Sequence, residues 1–471
     1  MDPNLRQRLL SLIHQHQSRR LLVVGDIMLD KYTWGDVDRI SPEAPIPVVR
    51  VEREEYRLGG SASVAANLRA LGCEVDALGW VGEDEAGARV KQMFQAQGID
   101  DQGLISLDRP TILKDRILTQ QQQLVRVDFE SKTALSREER ECIQTRAMQL
   151  LERAQAVVLS DYAKGILDPA LVKLLIDKAR EKRIPIICDP GRGVPLERYQ
   201  GVTTIKPNRM ETELATGIQI KDQSSMLAAA GLVKEKTGAE FLSMSLDREG
   251  ILYYESDDNW QLLETQAREV YDVTGAGDMV VSVISCLLTQ GASPVECLAM
   301  ANVAAEIEIG HMGVVSIPWG EIKDYLVQGR LEKKLAKVED IQQDLLGLKE
   351  DVVFANGYFD NLSAGHLRFL IEAARLPGRL VVAINSDAGI ERAKGKRPIL
   401  SEADRARLLA SLEDVWRVVI FDEDHAGHLI EQLRPAIVVK GEDFQGKEIS
   451  ESEAIIAVGA RIEYISHFSY N

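Results

Sequence analysis

The sequence of 471 residues has few aromatic side chains, which make up 5% of it, and only five cysteines. No two cysteines form a Cys-x-x-Cys pair and none stands near histidine in a metal-like spacing, so a structural zinc site is not expected. The sequence also lacks an apolar run long enough to cross a membrane, and its N-terminal segment lacks the apolar core of a signal peptide. These absences predict a cytoplasmic protein without a membrane partner.

Positive charge is also in the minority. Lysine and arginine number 56 against 73 acidic residues, which gives a net charge of -17. Because phosphate backbones need a basic face, nucleic acid is not expected as the main partner. What the chain does have is length and a globular composition, with 45% hydrophobic and 27% charged residues. That length exceeds one ordinary core and predicts two or three domains.

Two apolar runs look like the first strands of separate α/β domains. Leu21–Asp26 and Asp351–Gly357 each end in a turn that contains glycine. The intervening segment Gly329–Glu350 is charged and carries apolar residues at roughly helical spacing. The sequence therefore predicts a first domain over 1–330, a linker helix over 331–350 and a second domain over 351–471.

The first domain alternates strand and helix patterns. β-rich runs at 156–161 and 184–189 flank a helix-like run at 169–182, which predicts a mainly parallel sheet covered by helices. Ligands of such sheets bind at the carboxyl ends of the strands. The polar residues that follow the strands are therefore expected along one edge: Asp26, Asp161, Asp189 and Asn208.

The glycine-rich run Asp272–Asp278 precedes an apolar, helix-like segment. Its glycines allow several backbone N–H groups to point at one place, which makes an anion site at a helix N-terminus. A carboxylate at Asp278 is suited to take a proton from a hydroxyl that attacks phosphorus. The alternative is a plain glycine turn with Asp278 as the helix N-cap.

Two segments predict a small projecting sheet. Pro42–Val51 contains three prolines, which exclude a helix and a central strand, and Gln120–Phe129 has the composition of a strand. Because exposed edge strands invite pairing with another chain, we expect a homodimer.

Four motifs in order, at 25–30, 59–67, 207–211 and 272–278, resemble the ribokinase-like (PfkB) sugar kinase family over about residues 18–320. The resemblance implies a three-layer α/β domain with a small β-lid. It also implies ATP and Mg²⁺ as cofactors, and Asp278 as the catalytic base beside the N–H groups of Gly275, Ala276 and Gly277. The sugar would bind Asp26, Asp30, Gly60 and Asn67. ATP and its metal would be bound by Asn208, Arg209, Met210, Glu211, Lys206 and Ser245, with Glu211 facing Mg²⁺ through water.

Three further segments, at 39–45, 122–130 and 159–165, resemble the heptose 7-phosphate kinases of lipopolysaccharide core synthesis. That resemblance implies a sugar phosphate as the substrate. Its phosphate would need cations, for which Arg116, Arg126 and Lys164 are candidates. The alternative for each of them is an ordinary solvated surface charge.

The second domain resembles the cytidylyltransferase-like nucleotidyltransferases, with a Rossmann-like fold, over about 350–465. The run 356–366 lies where that family has its HxGH motif, whose imidazoles bind nucleotide phosphates. The resemblance implies a catalytic role for His366. The nucleotide would bind Asn356, Gly357, Phe359, Asp360 and Lys440.

Two departures bear on the second activity. Ser363 replaces the first motif histidine, and a lost charge-assisted contact to phosphate costs about 2–4 kcal/mol. The chain also stops at Asn471, before the Ser/Thr-rich turn and last helix of that family. Two alternatives stay open. One is a bifunctional enzyme, since the two segments together resemble the heptose 7-phosphate kinase / heptose 1-phosphate adenylyltransferase family, which makes ADP-heptose. The other is a sugar-phosphate kinase with a weak or silent second domain.

Overall fold

The computed structural model describes residues 2–119, 122–131, 133–265, 275–311, 313–347 and 351–466. The chain divides into two compact units, Met1–Asp324 and Tyr325–Asn471. Within the described residues, none of the helices is both long enough and apolar enough for a membrane span.

The described strands of the first unit form two sheets. In chain order they are β1 (Arg20–Gly25), β2 (Ile27–Ile40), β3 (Pro47–Gly60), β4 (Glu74–Gly82), β5 (Leu104–Leu107), β6 (Ile112–Leu118), β7 (Gln123–Phe129), β8 (Ala156–Ser160), β9 (Ile186–Asp189), β10 (Thr204–Ile205), β11 (Phe241–Ser245), β12 (Ile251–Ser256) and β13 (Asn259–Leu263).

The larger sheet has the order β13-β12-β11-β10-β9-β8-β1-β4-β5. It is parallel from β11 to β5, and β12 and β13 add an antiparallel edge. Its central strands are buried on both faces, as in Leu22 and Val23, because helices cover both sides. The smaller sheet, β3-β2-β6-β7, is called the lid sheet below.

The helices of the first unit precede, connect or follow these strands. They are α1 (Pro3–His14), α2 (Ser61–Ala70), α3 (Glu85–Gln97), α4 (Arg137–Leu151), α5 (Pro169–Lys182), α6 (Arg209–Thr216), α7 (Gln223–Thr237), α8 (Ala276–Leu288) and α9 (Pro294–Glu308). Asp168 caps α5 by accepting the N–H of Leu171 at 2.8 Å, and Pro169 occupies the first turn, where a missing N–H costs nothing. The helix ends with Arg183 in the left-handed region.

The second unit begins within α10 (Trp319–Lys334). Its other elements are α11 (Val338–Gly347), β14 (Val352–Gly357), α12 (Ala364–Ala374), β15 (Arg379–Asn385), α13 (Asp387–Lys394), α14 (Glu402–Ser411), β16 (Arg417–Phe421), α15 (Gly427–Leu433), β17 (Ile437–Gly441), α16 (Ser452–Val458) and β18 (Arg461–Ile465). Its parallel sheet has the order β16-β15-β14-β17-β18. Both sheets confirm the α/β class predicted for the two domains.

Where the sequence predicts one linker helix over 331–350, the described residues form two helices. The segment between α10 and α11 forms a short bridge to the edge of the second sheet: Leu335 pairs with Val418, and the N–H of Ala336 donates to the Val418 carbonyl at 3.0 Å. A backbone that satisfies its hydrogen bonds on a neighbouring strand has left the helix.

Candidate active sites

The first candidate site lies at the carboxyl edge of the larger sheet. Asp26 follows β1, Asp161 follows β8, and Asp189 ends β9, and these three strands are parallel neighbours. Asn208 follows β10, the next strand along. The shared edge predicted for these four residues is therefore present.

Asp26 is buried and binds a loop. Its carboxylate accepts the N–H groups of Tyr162 and Lys164, both at 3.0 Å, and that of Ile166 at 3.4 Å. Burial raises the pKa of Asp26 to about 6, although these hydrogen bonds oppose the shift. The side chain thus fixes the loop that begins at Asp161, and its predicted contact with sugar stays a prediction.

Asp278 is the third residue of α8, and the helix N-cap is Gly275. The alternative in which Asp278 caps the helix is therefore not what the fold contains. Gly275 has φ 97°, and a Cβ there would lie 2.5 Å from an oxygen of Glu308, so the position requires glycine. Residues 272–274 of the predicted turn lie outside the described residues, and Ala276 and Gly277 form the first turn of the helix.

The carboxylate of Asp278 is buried and hydrogen-bonded. Tyr162 donates its hydroxyl to Oδ1 of Asp278 at 2.6 Å. Burial raises the pKa of Asp278 to about 6, while Tyr162, Lys206 and Ser63 act to lower it. A carboxylate with this pKa is ionised at neutral pH and is still basic enough to accept a proton.

A lysine stands beside the same turn. Lys206 is 3% exposed, and its Nζ lies 3.0 Å from Oδ1 of Asp189. A Cβ on Gly277 would come within 3.2 Å of that Nζ, so the ammonium borders the turn. Burial raises the pKa of Asp189 to about 7; Lys206 opposes the shift, and the charges of Glu211 and Asp278 add to it. The Lys206 ammonium thus contacts one carboxylate and feels the charge of two more, Glu211 and Asp278.

The predicted metal and nucleotide residues begin a helix. The side chain of Asn208 accepts the N–H of Glu211, and that of Glu211 accepts the N–H of Asn208, both at 2.8 Å. This pair is a capping box for α6. Because Mg²⁺ keeps several waters and needs few carboxylates, Glu211 in this negatively charged surrounding fits the ion.

The other residues predicted to bind nucleotide lie next to Asn208, either in sequence or through strand pairing. Arg209 forms ion pairs with Asp247 at 3.0 Å and Glu249 at 2.7 Å. Met210 is exposed. Ser245 ends β11 and forms a bridge with Asn208.

The predicted glycine-rich sugar segment forms the start of α2. Gly60 has φ 58°, and a Cβ there would lie 2.5 Å from the Asp26 carbonyl. Asn67 is fully buried, and neither polar atom of its side chain has a hydrogen-bond partner among the described residues. A buried amide in that state is suited to bind a ligand hydroxyl.

The lid sheet brings charged side chains onto one face. Its register pairs Asp30 with Lys114 and Lys114 with Asp128, and in the next row it pairs Arg116 with Arg126. Residues directly opposite one another on neighbouring strands share a face. The lid sheet therefore carries three cations together, which we call the cationic row: Lys114, Arg116 and Arg126.

Each predicted phosphate ligand has an acidic neighbour. Arg116 lies 2.7 Å from Asp30, and Arg126 lies 2.8 Å from Asp128. Lys164 lies 2.5 Å from Glu130. Lys114 is not among the predicted phosphate ligands, although it lies two residues before Arg116 on β6, a spacing that puts both side chains on one face of the strand.

The second candidate site follows β14. Ser363 is the N-cap of α12, and its backbone N–H donates to Nδ1 of His366 at 3.2 Å. The neutral imidazole then carries its hydrogen on Nε2. Phe359 has φ 47°, and its ring centroid lies 5.5 Å from that of His366. Asp360 accepts the N–H of Ile399 at 2.6 Å.

Asn356 and Lys440, which are predicted to bind nucleotide, contact Glu451, a residue with no predicted role. Nζ of Lys440 donates to Asn356 at 2.9 Å and to Glu451 at 3.0 Å, and the Asn356 amide donates to Glu451 at 2.9 Å. Lys440 and Glu451 are buried. Burial acts to raise the pKa of Glu451, but Lys440 and Asn356 outweigh it and hold that pKa below its usual value. We call these three side chains the buried triad.

Arg405 is a second residue that the sequence analysis missed. It is fully buried and donates to the Tyr358 carbonyl at 2.8 Å and to Asp387 at 2.7 Å. It thereby links the segment after Gly357, the end of β14, to the start of α13. An arginine in an otherwise ordinary helix gives no sequence signal for such a contact.

Comparisons with known proteins divide the chain in the same way. Residues 18–319 match the pfkB family carbohydrate kinases, and residues 354–461 match the cytidylyltransferase-like family. The bifunctional protein HldE of Magnetococcus marinus is 38% identical over 95% of this chain and 94% of that protein. The bifunctional protein HldE of Campylobacter curvus is 40% identical over 92% of this chain and 93% of that protein.

Solved structures are similar to the first unit in fold. Ribokinase of Arabidopsis thaliana, complexed with ribose and ATP, covers 66% of this chain and 99% of its own, with a TM-score of 0.55 and 18% identity. Phosphofructokinase-2 of Escherichia coli, in complex with potassium, covers the same shares with a TM-score of 0.56 and 17% identity.

Proposed function

The chain belongs to the pfkB family of carbohydrate kinases and to the family of bifunctional HldE proteins, and on this premise we propose two successive reactions. The first domain phosphorylates O1 of D-glycero-D-manno-heptose 7-phosphate with ATP. The second domain, which is nucleotidyltransferase-like, transfers an adenylyl group from ATP to heptose 1-phosphate. The product is ADP-heptose for the lipopolysaccharide core.

The observation that carries the kinase proposal is the buried carboxylate of Asp278 at the start of α8. The sugar O1 hydroxyl gives its proton to this carboxylate while O1 attacks the γ-phosphorus and ADP leaves. Backbone N–H groups of Gly275, Ala276 and Gly277, together with Lys206, are suited to bind the transferring phosphoryl oxygens. Glu211 would hold Mg²⁺ through water, and the ion would neutralise phosphate charge.

The sugar end of the substrate is proposed to lie between α2 and the lid sheet. The unpartnered amide of Asn67 and the carboxylate of Asp30 are suited to its hydroxyls. The cationic row is suited to the 7-phosphate, because its three cations outnumber Asp30 and Asp128, the two carboxylates of the same rows. Burial lowers the pKa of Lys114; Asp30 opposes this shift, and Arg116 and Arg126 reinforce it.

In the second domain, His366 is proposed to bind the nucleotide phosphates through Nε2 and to stabilise the charge on departing pyrophosphate. Asn356, Lys440 and Asp360 surround the same strand end. The glycine at position 357 and the Phe359 ring complete the nucleotide site.

A second candidate function is a sugar-phosphate kinase whose second domain is weak or silent. Ser363 donates hydrogen bonds but carries no charge where the related motif has histidine. In addition, the buried triad already pairs the Lys440 ammonium with Glu451. Both observations reduce the positive charge available to a triphosphate.

The experiment that separates the two is phosphorus NMR of the full chain with Mg-ATP. Heptose 7-phosphate is supplied first, and heptose 1-phosphate is supplied in a separate sample. A bisphosphate from the first and ADP-heptose with pyrophosphate from the second support both reactions. A bisphosphate alone favours the kinase-only function, and no turnover of either sugar overturns the proposal.

We also propose that the protein is a homodimer that pairs through the lid sheet. Val125, Val127 and Phe129 alternate along β7 and are exposed by 48%, 38% and 50%. β7 is an edge strand, so its outer backbone groups are open to a second chain. Sedimentation of the Val127→Glu variant should give a monomer, and an unchanged dimer would reject this interface.

A further inference from the structure

We propose that Tyr162 is a positioning residue of the kinase site, which holds Oδ1 of Asp278 so that the other carboxylate oxygen faces the substrate hydroxyl. The two atoms are 2.6 Å apart, which is a short hydrogen bond to a carboxylate. The inference rests on the proposed role of Asp278 as the base. It adds a residue that acts through Asp278 and does not itself touch the phosphoryl group.

The hydroxyl of Tyr162 is a permanent donor. Burial raises its pKa well above the ordinary value, and the negative charge of Asp278 raises it further. The hydroxyl therefore keeps its hydrogen at every pH at which the enzyme is active. A hydrogen bond to the ionised form of a carboxyl stabilises that form relative to the protonated one.

The loop that carries Tyr162 is held on both sides. Asp26 accepts the backbone N–H of Tyr162, and Asp161 accepts that of Ala163 at 2.7 Å. Asp161 in turn accepts the hydroxyl of Tyr199 at 2.6 Å. Ala163 has φ 57°, a left-handed conformation that a non-glycine residue keeps only when its surroundings fix it. The loop is thus built to place Tyr162, and the buried Asp26 serves that placement.

The lid sheet also reaches this tyrosine. Nζ of Lys114 lies 5.4 Å from the centroid of the Tyr162 ring, within the range of a cation–π contact. Tyr162 therefore stands between the sheet proposed to bind the sugar phosphate and the base. Tyr162 is thus one of the links between the lid sheet and Asp278.

Other charged groups and one hydroxyl also face Asp278. Lys206 and Asp189 face it from the edge of the larger sheet, Ser63 from α2 and Asp30 from the lid sheet. Asp189 titrates in the same range, since its pKa is about 7. The test therefore compares variants with the wild type, because Asp189 contributes equally to both.

The experiment is the pH profile of kcat/KM for heptose 7-phosphate in Tyr162→Phe. A hydrogen bond to a charged group is worth about 1.5–3 kcal/mol, so the acidic pKa of the profile should rise by about one to two units. Activity then falls about 10- to 100-fold in acid and much less above pH 8. An unmoved acidic pKa, or an equal loss at every pH, overturns the proposal.

Two further variants make the outcome specific. Tyr199→Phe removes a tyrosine–carboxylate bond of the same length from the same loop, and its acidic pKa should stay in place. An equal shift in that variant would mean that loop order alone is responsible.

The second variant carries 3-fluorotyrosine at position 162. Its hydroxyl is a stronger donor of nearly the same shape, so the acidic pKa of the profile should move down. No movement, or movement upward, counts against the hydrogen bond.

Asp278→Asn separates this inference from the function on which it rests. If that variant keeps sugar phosphorylation, Asp278 is not the base and the proposed mechanism fails. If it loses phosphorylation while Tyr162→Phe leaves the acidic pKa unchanged, the base stands and the role of Tyr162 is rejected. Thermal unfolding of each variant checks that it is folded.

Discussion

The two domains place a lysine at the carboxyl edge of a parallel sheet but balance its charge differently. In the kinase domain, Lys206 meets Asp189 and lies near the charges of Glu211 and Asp278, so negative charge is in excess. In the second domain, Lys440 meets one carboxylate and one amide in the closed buried triad. An excess of negative charge suits a site that binds a metal ion together with its nucleotide. The buried triad has its charges balanced already, so it needs no metal.

The largest expected effect belongs to the kinase domain. Asp278→Asn keeps the shape of the side chain but removes the proposed proton acceptor, so sugar phosphorylation should fall by about 10²–10⁴-fold. Binding of ATP and adenylyl transfer should stay near the wild-type level. Phosphorus NMR of both reactions measures this, with the exposed Asp177→Asn as the matched control. Equal loss of both activities would break the separation of the two sites.

Ser363→His tests the opposite domain. A second imidazole restores a charge-assisted contact of about 2–4 kcal/mol, which corresponds to a gain in adenylyl transfer of roughly 30- to 900-fold. The serine is also the N-cap of α12, so the variant should lose about 1 kcal/mol of unfolding free energy. Pyrophosphate release and denaturant unfolding measure the two effects. Lost stability without gained activity would place the defect elsewhere.

Glu451→Gln tests the buried triad directly. It leaves Lys440 without its carboxylate, so the ammonium becomes available to a phosphate and adenylyl transfer should rise about tenfold, the equivalent of one charge-assisted bond. Breaking a buried ion pair should also cost about 3 kcal/mol of unfolding free energy. Hydrogen exchange around β17, with and without ATP, reports nucleotide binding at this domain alone.

The control for that variant is Glu453→Gln, since Glu453 is exposed in the same segment. It should change neither stability nor transfer. A fall in adenylyl transfer in Glu451→Gln would show that the triad positions Lys440 for nucleotide. The contrast between the two lysines would then have to be abandoned.

The smallest expected effect is a difference in pH dependence. In the proposed reaction Asp278 must be ionised to accept a proton, and its pKa is about 6, so phosphorylation should fall toward tenfold per pH unit as the pH drops below 6. Asp26 protonates in the same window. Glu451 has a lowered pKa and keeps its charge there, so adenylyl transfer should vary less. Parallel profiles of the two reactions would remove this distinction.

Much of the fold follows from local sequence. The helix predicted over 169–182 is α5, because a cap, a proline and a regular apolar spacing agree at its ends and along its length. The shared edge of Asp26, Asp161 and Asp189 follows from strand alternation alone. The spacing of apolar residues and the capping of helices depend on residues close together in the chain, so both can be read from a single sequence.

The candidate sites are less visible in the sequence. The contact between Tyr162 and Asp278 joins residues 116 positions apart, and no local pattern reports it. The pairing of Lys440 with Glu451 is closer in sequence, but nothing in that segment says which acid turns inward. Lys114 is the exception: it lies two residues before Arg116 on a predictable strand, so the sequence alone places both side chains on one face. The roles assigned to the individual site residues stay predictions.

The capping box of Asn208 and Glu211 limits how this chain can vary over generations. The same two side chains begin a helix and, in the proposed reaction, serve the metal and the nucleotide. Replacing Asn208 by alanine would cost about 1 kcal/mol of capping even in a cell that never used the kinase. A substitution there therefore costs both stability and the proposed activity. In a lineage that lost the activity, the cost in stability would still favour keeping the capping box.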